Sequence, residues 1–210
     1  MINLITNNCL GAFTYQKLNI EYNNPFIWSV VTIDDMVKLL NNYNTLNWFN
    51  IRCEKTTEMI KGWNNSYNIL VDNCFRIYYI HYKYNPKCLT LTKHTNSVNK
   101  EYLHMDEYVT NTYLRRVKRM LNSNIPPMVY VQQSGNEGWT ERNLEALLSK
   151  YSPRALPICV IGSRSLRKFT KDNVFVYEQG NCKSIQDIAS SHLHNVVKAY
   201  NTFYNKENNI

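Results

Sequence analysis

Two hydrophobic periods alternate along the chain, and the switches between them mark its elements. Ile2 to Thr6 is a short apolar run closed by Asn7-Asn8, the pattern of a buried strand ending at a helix cap. Gly11 to Leu18 reads as a short helix, followed by a loop containing Asn23-Asn24-Pro25. Thr32-Ile33-Asp34-Asp35 is a capping box, and Ile33, Met36, Val37 and Leu40 share one face of the helix it opens. Tyr67 to Asp72 and Cys74 to Tyr82 are β-rich and joined tightly at Asp72-Asn73. The second run carries apolar residues on both faces, Phe75, Ile77 and Tyr79 against Tyr78, Ile80 and Tyr82, which predicts a central strand.

From Asp106 to Leu121, Val109, Tyr113, Leu114, Val117 and Leu121 recur at helical spacing, with Arg115, Arg116, Lys118 and Arg119 between them. Met128 to Gln132 then predicts a strand, Thr140 to Tyr151 a helix, Leu156 to Ile161 a strand and Val174 to Tyr177 another. Ser184-Ile185-Gln186-Asp187 is a second capping box, opening a helix through Ile188, Leu193, Val196, Val197 and Tyr200; residues after Asn205 read as frayed. Strands separated by helices imply parallel pairing through right-handed crossovers. The expected fold is therefore mixed α/β: a largely parallel sheet with helices on both faces, in a single domain spanning residues 1–210.

Composition narrows the partners. The start of the chain lacks a basic segment followed by an apolar one, and no run of about 18 apolar residues occurs, so neither secretion nor membrane insertion is expected. Six cysteines at scattered spacing contain no CxxC pair and form no zinc pattern with the five histidines. Reduced thiols in a cytoplasmic setting, with no metal, are the expectation. A formal net charge of +8 favours anionic ligands, but the basic residues are dispersed and match no nucleic-acid-binding motif. The abundance of Asn, Lys, Tyr and Ile is that of an AT-rich genome.

Cys9 stands where the first strand hands over to the first helix. A thiol there lies in the positive end of the helix dipole, which lowers its pKa, and neighbouring N–H groups suit an oxyanion; a small buried hydrophobe fits the same position. His81 is the candidate base, and Asp72, Asp106 or Asn73 the candidate group to orient it. Two loops follow predicted parallel strands, residues 133–139 and 162–168. Their Ser134, Gly135, Gly162, Ser163, Arg164, Arg167 and Lys168 suit the phosphates of a nucleotide or of coenzyme A, although neither loop has a GxGxxG or Walker pattern. Trp28 and Trp48 read as core side chains on their own surroundings, and Trp139, beside a glycine, as a platform for a ring or sugar.

The segments Thr6-Asn7-Asn8-Cys9-Leu10-Gly11-Ala12-Phe13-Thr14-Tyr15-Gln16, Asn24-Pro25-Phe26-Ile27-Trp28, Ile80-His81-Tyr82-Lys83 and Tyr113-Leu114-Arg115-Arg116-Val117-Lys118-Arg119 occur in that order. Together they resemble a family of unknown function associated with exopolysaccharide biosynthesis, and a sister family of papain-like cysteine peptidases, over roughly residues 1 to 130. The chain is also similar to the amino-sugar N-acetyltransferase domain of giant-virus glycan pathways. The resemblance implies a mixed α/β fold and matches Cys9 and His81 to the cysteine and histidine of the family patterns, while no residue matches a third member securely. A Cys/His pair transfers an acyl group to water or to an amine, depending on the acceptor. The implied activity is acetyl-CoA-dependent N-acetylation of a nucleotide-linked amino sugar. Either Cys9 is acylated after His81 takes its proton, or His81 assists direct attack by the amine. Asn8, Trp28, Arg115, Arg116 and Trp139 are the candidate substrate contacts, and Asp106 is placed with the catalytic pair. A cysteine peptidase or amidohydrolase, and a non-catalytic nucleotide-sugar module with Cys9 and His81 in its core, are the alternatives.

Overall fold

The computed structural model describes residues 2–55, 67–80, 83–84, 91–92 and 105–207. Its element order is β1 (Asn3–Thr6), α1 (Leu10–Leu18), α2 (Ile33–Asn42), β2 (Ile51–Lys55), β3 (Tyr67–Val71), β4 (Phe75–Tyr79), β5 (Lys83–Tyr84) and β6 (Leu91–Thr92), then α3 (Met105–Asn122). The last part comprises β7 (Pro127–Gln132), α4 (Glu141–Lys150), β8 (Ile158–Gly162), β9 (Val174–Glu178), α5 (Ile185–Ser191) and α6 (Leu193–Glu207).

Four strands form a parallel sheet in the order β1-β7-β8-β9, as the strand–helix alternation predicts. Alternate residues of these strands face two different cores. Leu4, Met128, Tyr130, Cys159 and Ile161 pack beneath α1, α5 and α6. Ile5, Val129, Val131, Ile158 and Val160 face α2, α3 and α4, and that core is shared with Tyr67, Ile69, Phe75 and Ile77 of a second, antiparallel sheet in the order β2-β3-β4. Both sheets thus bury their apolar faces in common, which makes the mixed α/β chain one packed unit.

The capping boxes form as read. Thr32 Oγ1 accepts the Asp35 N–H at 3.1 Å, and Ser184 Oγ accepts the Asp187 N–H at 3.1 Å. Four readings need correction. β4 is not central: β3 is, and among the described residues the outer edge of β4 carries an isolated bridge between Tyr78 and Val30. The helix opened at Ser184 is two, α5 and α6, separated at a buried His192. The Asn195 side-chain amide lies 3.2 Å from His192 Nδ1 at this break. Fraying directly after Asn205 is not seen either, because α6 runs on to Glu207. Last, residues 164–169 of the second glycine loop form a 3-10 helix instead of an open loop. Among the described residues, no helix is long and apolar enough to cross a membrane.

Candidate functional site

The carboxyl ends of the four parallel strands meet along one edge of the sheet, where open α/β folds place their ligands. β1 arrives there first. Asn7, just beyond it, bonds both ways with β7: its amide donates to the Gln132 carbonyl at 2.9 Å, and its Oδ1 accepts the Gln132 N–H at 3.1 Å. Asn8 Oδ1 accepts the Leu10 N–H at 2.9 Å and starts α1, while the Asn8 amide reaches Gln132 Oε1 at 3.3 Å. Gly11 is required by this handover, because a Cβ there would lie 2.7 Å from the Thr6 side chain.

Cys9 takes the N-cap position of α1, one residue past the Asn7-Asn8 cap that the sequence suggests, and of the two readings of its thiol the buried hydrophobe is the one that the surroundings favour. It is 6% exposed and packs with Val30, Tyr78 and Ile80, flanked by Phe13 and Trp28. Burial pushes its pKa up from the ordinary 9.0 to about 12, partly offset by its own main-chain N–H. A helix dipole is worth about 1 kcal/mol at its end, below one pKa unit, whereas desolvation shifts buried groups by several units. Desolvation wins, and the thiol is protonated at neutral pH.

Trp28, half-buried, stacks edge-on against Phe13 with ring centroids 5.1 Å apart. Its φ of +59° is left-handed, a costly conformation for a bulky residue. Arg116 holds this turn. It is 7% exposed, donates from Nη1 to the Ile27 carbonyl at 2.5 Å, and lies 5.8 Å over the Tyr79 ring. Its expected substrate contact is therefore corrected to a structural one. Arg115 is exposed, but it lines a groove of 650 Å³ with Ile20, Asn23, Asn122 and Ile125, at the amino-terminal end of the sheet.

A cleft of 790 Å³ occupies the carboxyl edge beyond β7, β8 and β9. Ser134, Gly135, Gly162, Ser163 and Arg164 all line it, so the two glycine loops do converge. Arg167 and Lys168 do not join them; they pair with Glu178 at 3.5 Å and Glu145 at 2.7 Å. Trp139 corrects its expected role outright. It is fully buried, and its Nε1 donates to the Val31 carbonyl at 2.8 Å, pinning the segment before α2 against the loop after β7.

Gln133, from the loop read at 133–139, also lines the cleft, together with Gln132, Glu141 and Gln179, which carry no such signal in the sequence. Gln132 was legible only as the end of a strand, yet it links the cleft to Asn8 and hence to Cys9. His81 lies outside the described residues; its chain neighbour Ile80 packs in the Cys9 cluster. Asp106 is in the first turn of α3, and its side chain is outside the description. Asp72 is in the β3–β4 turn and accepts the Asn50 amide at 2.6 Å, which engages it locally. No group of three or more His, Cys, Asp or Glu fit to hold a metal occurs among the described residues.

Among known families, the model described as a domain of unknown function, DUF1919, matches residues 1–105. The chain belongs to the DUF1919 family. Its match contains Cys9, Trp28 and His81, while the cleft-lining loops of β7, β8 and β9 lie beyond it. No curated protein matches the chain.

The buried ionisable groups of this DUF1919 protein set its response to alkali. Tyr43 is pushed up by burial from 10.0 to about 12, as Cys9 is from 9.0. Above pH 9 the unfolded chain releases protons that the folded chain keeps, so stability falls as pH rises. The urea midpoint should be flat near neutrality and drop between pH 9 and 12, Cys9 alone removing about 1 kcal/mol per pH unit. Urea titrations of the wild type and Cys9→Ala check this: the variant's midpoint should fall less steeply.

Proposed function

We propose that this DUF1919 protein transfers an acetyl group from acetyl-CoA to the amino group of a nucleotide-linked amino sugar, without an acyl-enzyme intermediate. The observation that carries the reading is the junction of two unlike environments. Phe13 and Trp28, half-buried over the packed cluster of Cys9, Val30, Tyr78 and Ile80, offer an apolar face that suits a thioester's acyl end. The adjoining cleft is polar and suits a sugar, and Asn8 and Gln132 couple the two.

In the proposed step, the amine nitrogen attacks the thioester carbonyl carbon. The new C–N bond forms, the C–S bond breaks, His81 accepts the amine proton, and coenzyme A leaves and is reprotonated. The direct route is preferred over acylation of Cys9 because that thiol is buried and its pKa is raised to about 12. The same fact weighs against a cysteine peptidase, which needs a thiolate.

The test is product analysis by mass spectrometry after mixing the protein with acetyl-CoA and a panel of UDP-linked amino sugars. The expected result is acetylated sugar, no acetyl adduct on the protein, near-full activity in Cys9→Ala and a loss of roughly 10²–10⁴ in His81→Ala. Absence of acetylated sugar from the whole panel rejects the reading. Burial of Cys9 also favours a second one, a non-catalytic nucleotide-sugar module in which Cys9 is core. Its signature is thermal stabilisation by UDP-sugars with no turnover.

A further inference from the structure

We infer that the carboxyl-edge cleft recognises the neutral hydroxyls of a sugar ring and excludes phosphate. This refines the acceptor side of the proposed reading by assigning the ring to the cleft and the phosphates to the outside. Overall the chain carries +8, but the cleft does not share that sign: its lining contains two carboxylates, Glu141 and Glu178, against one cation, Arg164.

The natural anion position is already filled. α4 points its N-terminus at the cleft, and Glu141, its first residue, places a carboxylate at that positive end. Thr140 Oγ1 there accepts the Asn143 N–H at 3.3 Å. The Ser163 N–H, which a phosphate would seek, is donated to Gln133 Oε1 at 2.7 Å. Gly162 cannot open further room for a side chain, because its Cβ position lies 2.7 Å from Leu166 and 2.8 Å from Gln133. Arg167 and Lys168, the cations expected to reach phosphate, are spent on Glu178 and Glu145.

What remains, around the single cation Arg164, is a set of amides, hydroxyls and half-neutralised carboxylates, including Gln132, Ser134 and Gln179. Glu141 accepts a hydrogen bond from Ser165, and carboxylates and amides of this kind pair with neutral hydroxyls that both donate and accept. Its 790 Å³ falls within the range of small-ligand sites, about 300–1,000 Å³, and admits a sugar ring with space beside it.

The experiment is amide-resolved NMR of the ¹⁵N-labelled full chain, following the cleft glycines Gly135, Gly162 and Gly180 during titration. The ligands are N-acetylglucosamine, a β-linked N-acetylglucosamine oligomer, UDP-N-acetylglucosamine and inorganic pyrophosphate. The expected result is that at least one sugar moves these three resonances, pyrophosphate neither moves them nor displaces the sugar, and Glu141→Gln weakens the sugar about tenfold. The sugar arm active at the lowest concentration identifies the source of the ring. Movement of the glycines by pyrophosphate, or by no sugar at all, overturns the inference. Because nothing here requires turnover, sugar binding without acetylation leaves it standing while the acetyl-transfer reading fails. Acetylation with pyrophosphate bound in the cleft does the opposite.

Discussion

Trp139→Ala should destabilise the protein by about 4 kcal/mol, within the range for removing a large buried aromatic. The side chain is 0% exposed and belongs to the core shared by both sheets, so truncation leaves a cavity that the surrounding strands cannot close. It also leaves the Val31 carbonyl without the indole donor at 2.8 Å. Trp139→Phe separates the two effects. The ring volume is largely kept and the hydrogen bond lost, so its cost should be about 1–2 kcal/mol. Urea unfolding followed by circular dichroism checks both variants. Equal losses in the two would mean that the hydrogen bond, not the cavity, dominates.

Arg116→Ala should cost about 3 kcal/mol, the sum of an orphaned buried carbonyl, lost alkyl packing and a lost cation–π contact. The guanidinium reaches the Ile27 carbonyl at 2.5 Å while lying over Tyr79, which is itself fixed by its hydroxyl donating to the Pro25 carbonyl at 2.6 Å. Residues 25–28 are thus held from two sides, and the left-handed Trp28 is held with them. Arg116→Lys should recover less than half of the loss, since one ammonium cannot replace a planar group that stacks and donates at once. The readouts are the urea midpoint and the fluorescence emission of Trp28, which should shift to the red as the turn loosens. If Arg116→Ala were as stable as the wild type, the residue would have to be a surface cation.

The signal for that burial was present in the sequence. Arg116 falls on the stripe of Tyr113, Val117 and Met120, at positions i, i+3, i+4 and i+7 with buried neighbours, and reading it with Arg115 and Arg119 as one basic back hid this. Elements governed by local chemistry were the legible ones: both capping boxes, the strand–helix alternation after residue 127, and the strand-to-helix handover at Cys9. What depended on long-range packing was not. β2 went unread, since Ile51 to Lys55 alternates for only five residues and finds its partner across a sequence gap in β3. β4 looked central because both faces are apolar, but a buried second face does not require a second paired edge: that face packs on Cys9, Val30 and neighbouring rings. Trp139 looked exposed beside Gly138, whose φ is +79°, and only the arrival of the Val31 segment encloses it. The cleft was legible as two loops, but its sign was not, because Glu141 and Glu178 come from a helix start and a strand end read as scaffold.

The proposed transfer bypasses Cys9 because the thiol is buried and its pKa is raised to about 12. The most direct test of that premise is the rate of iodoacetamide alkylation at each cysteine of the native protein from pH 7 upward, read by peptide mass mapping. Cys53, Cys74 and Cys182, all partly exposed, serve as internal references. The account predicts that these three label near neutrality while Cys9 resists until the protein is unfolded or the pH approaches its raised pKa of about 12. Alkylation of Cys9 ahead of the references at pH 7 would contradict it and restore a nucleophilic thiolate to the site.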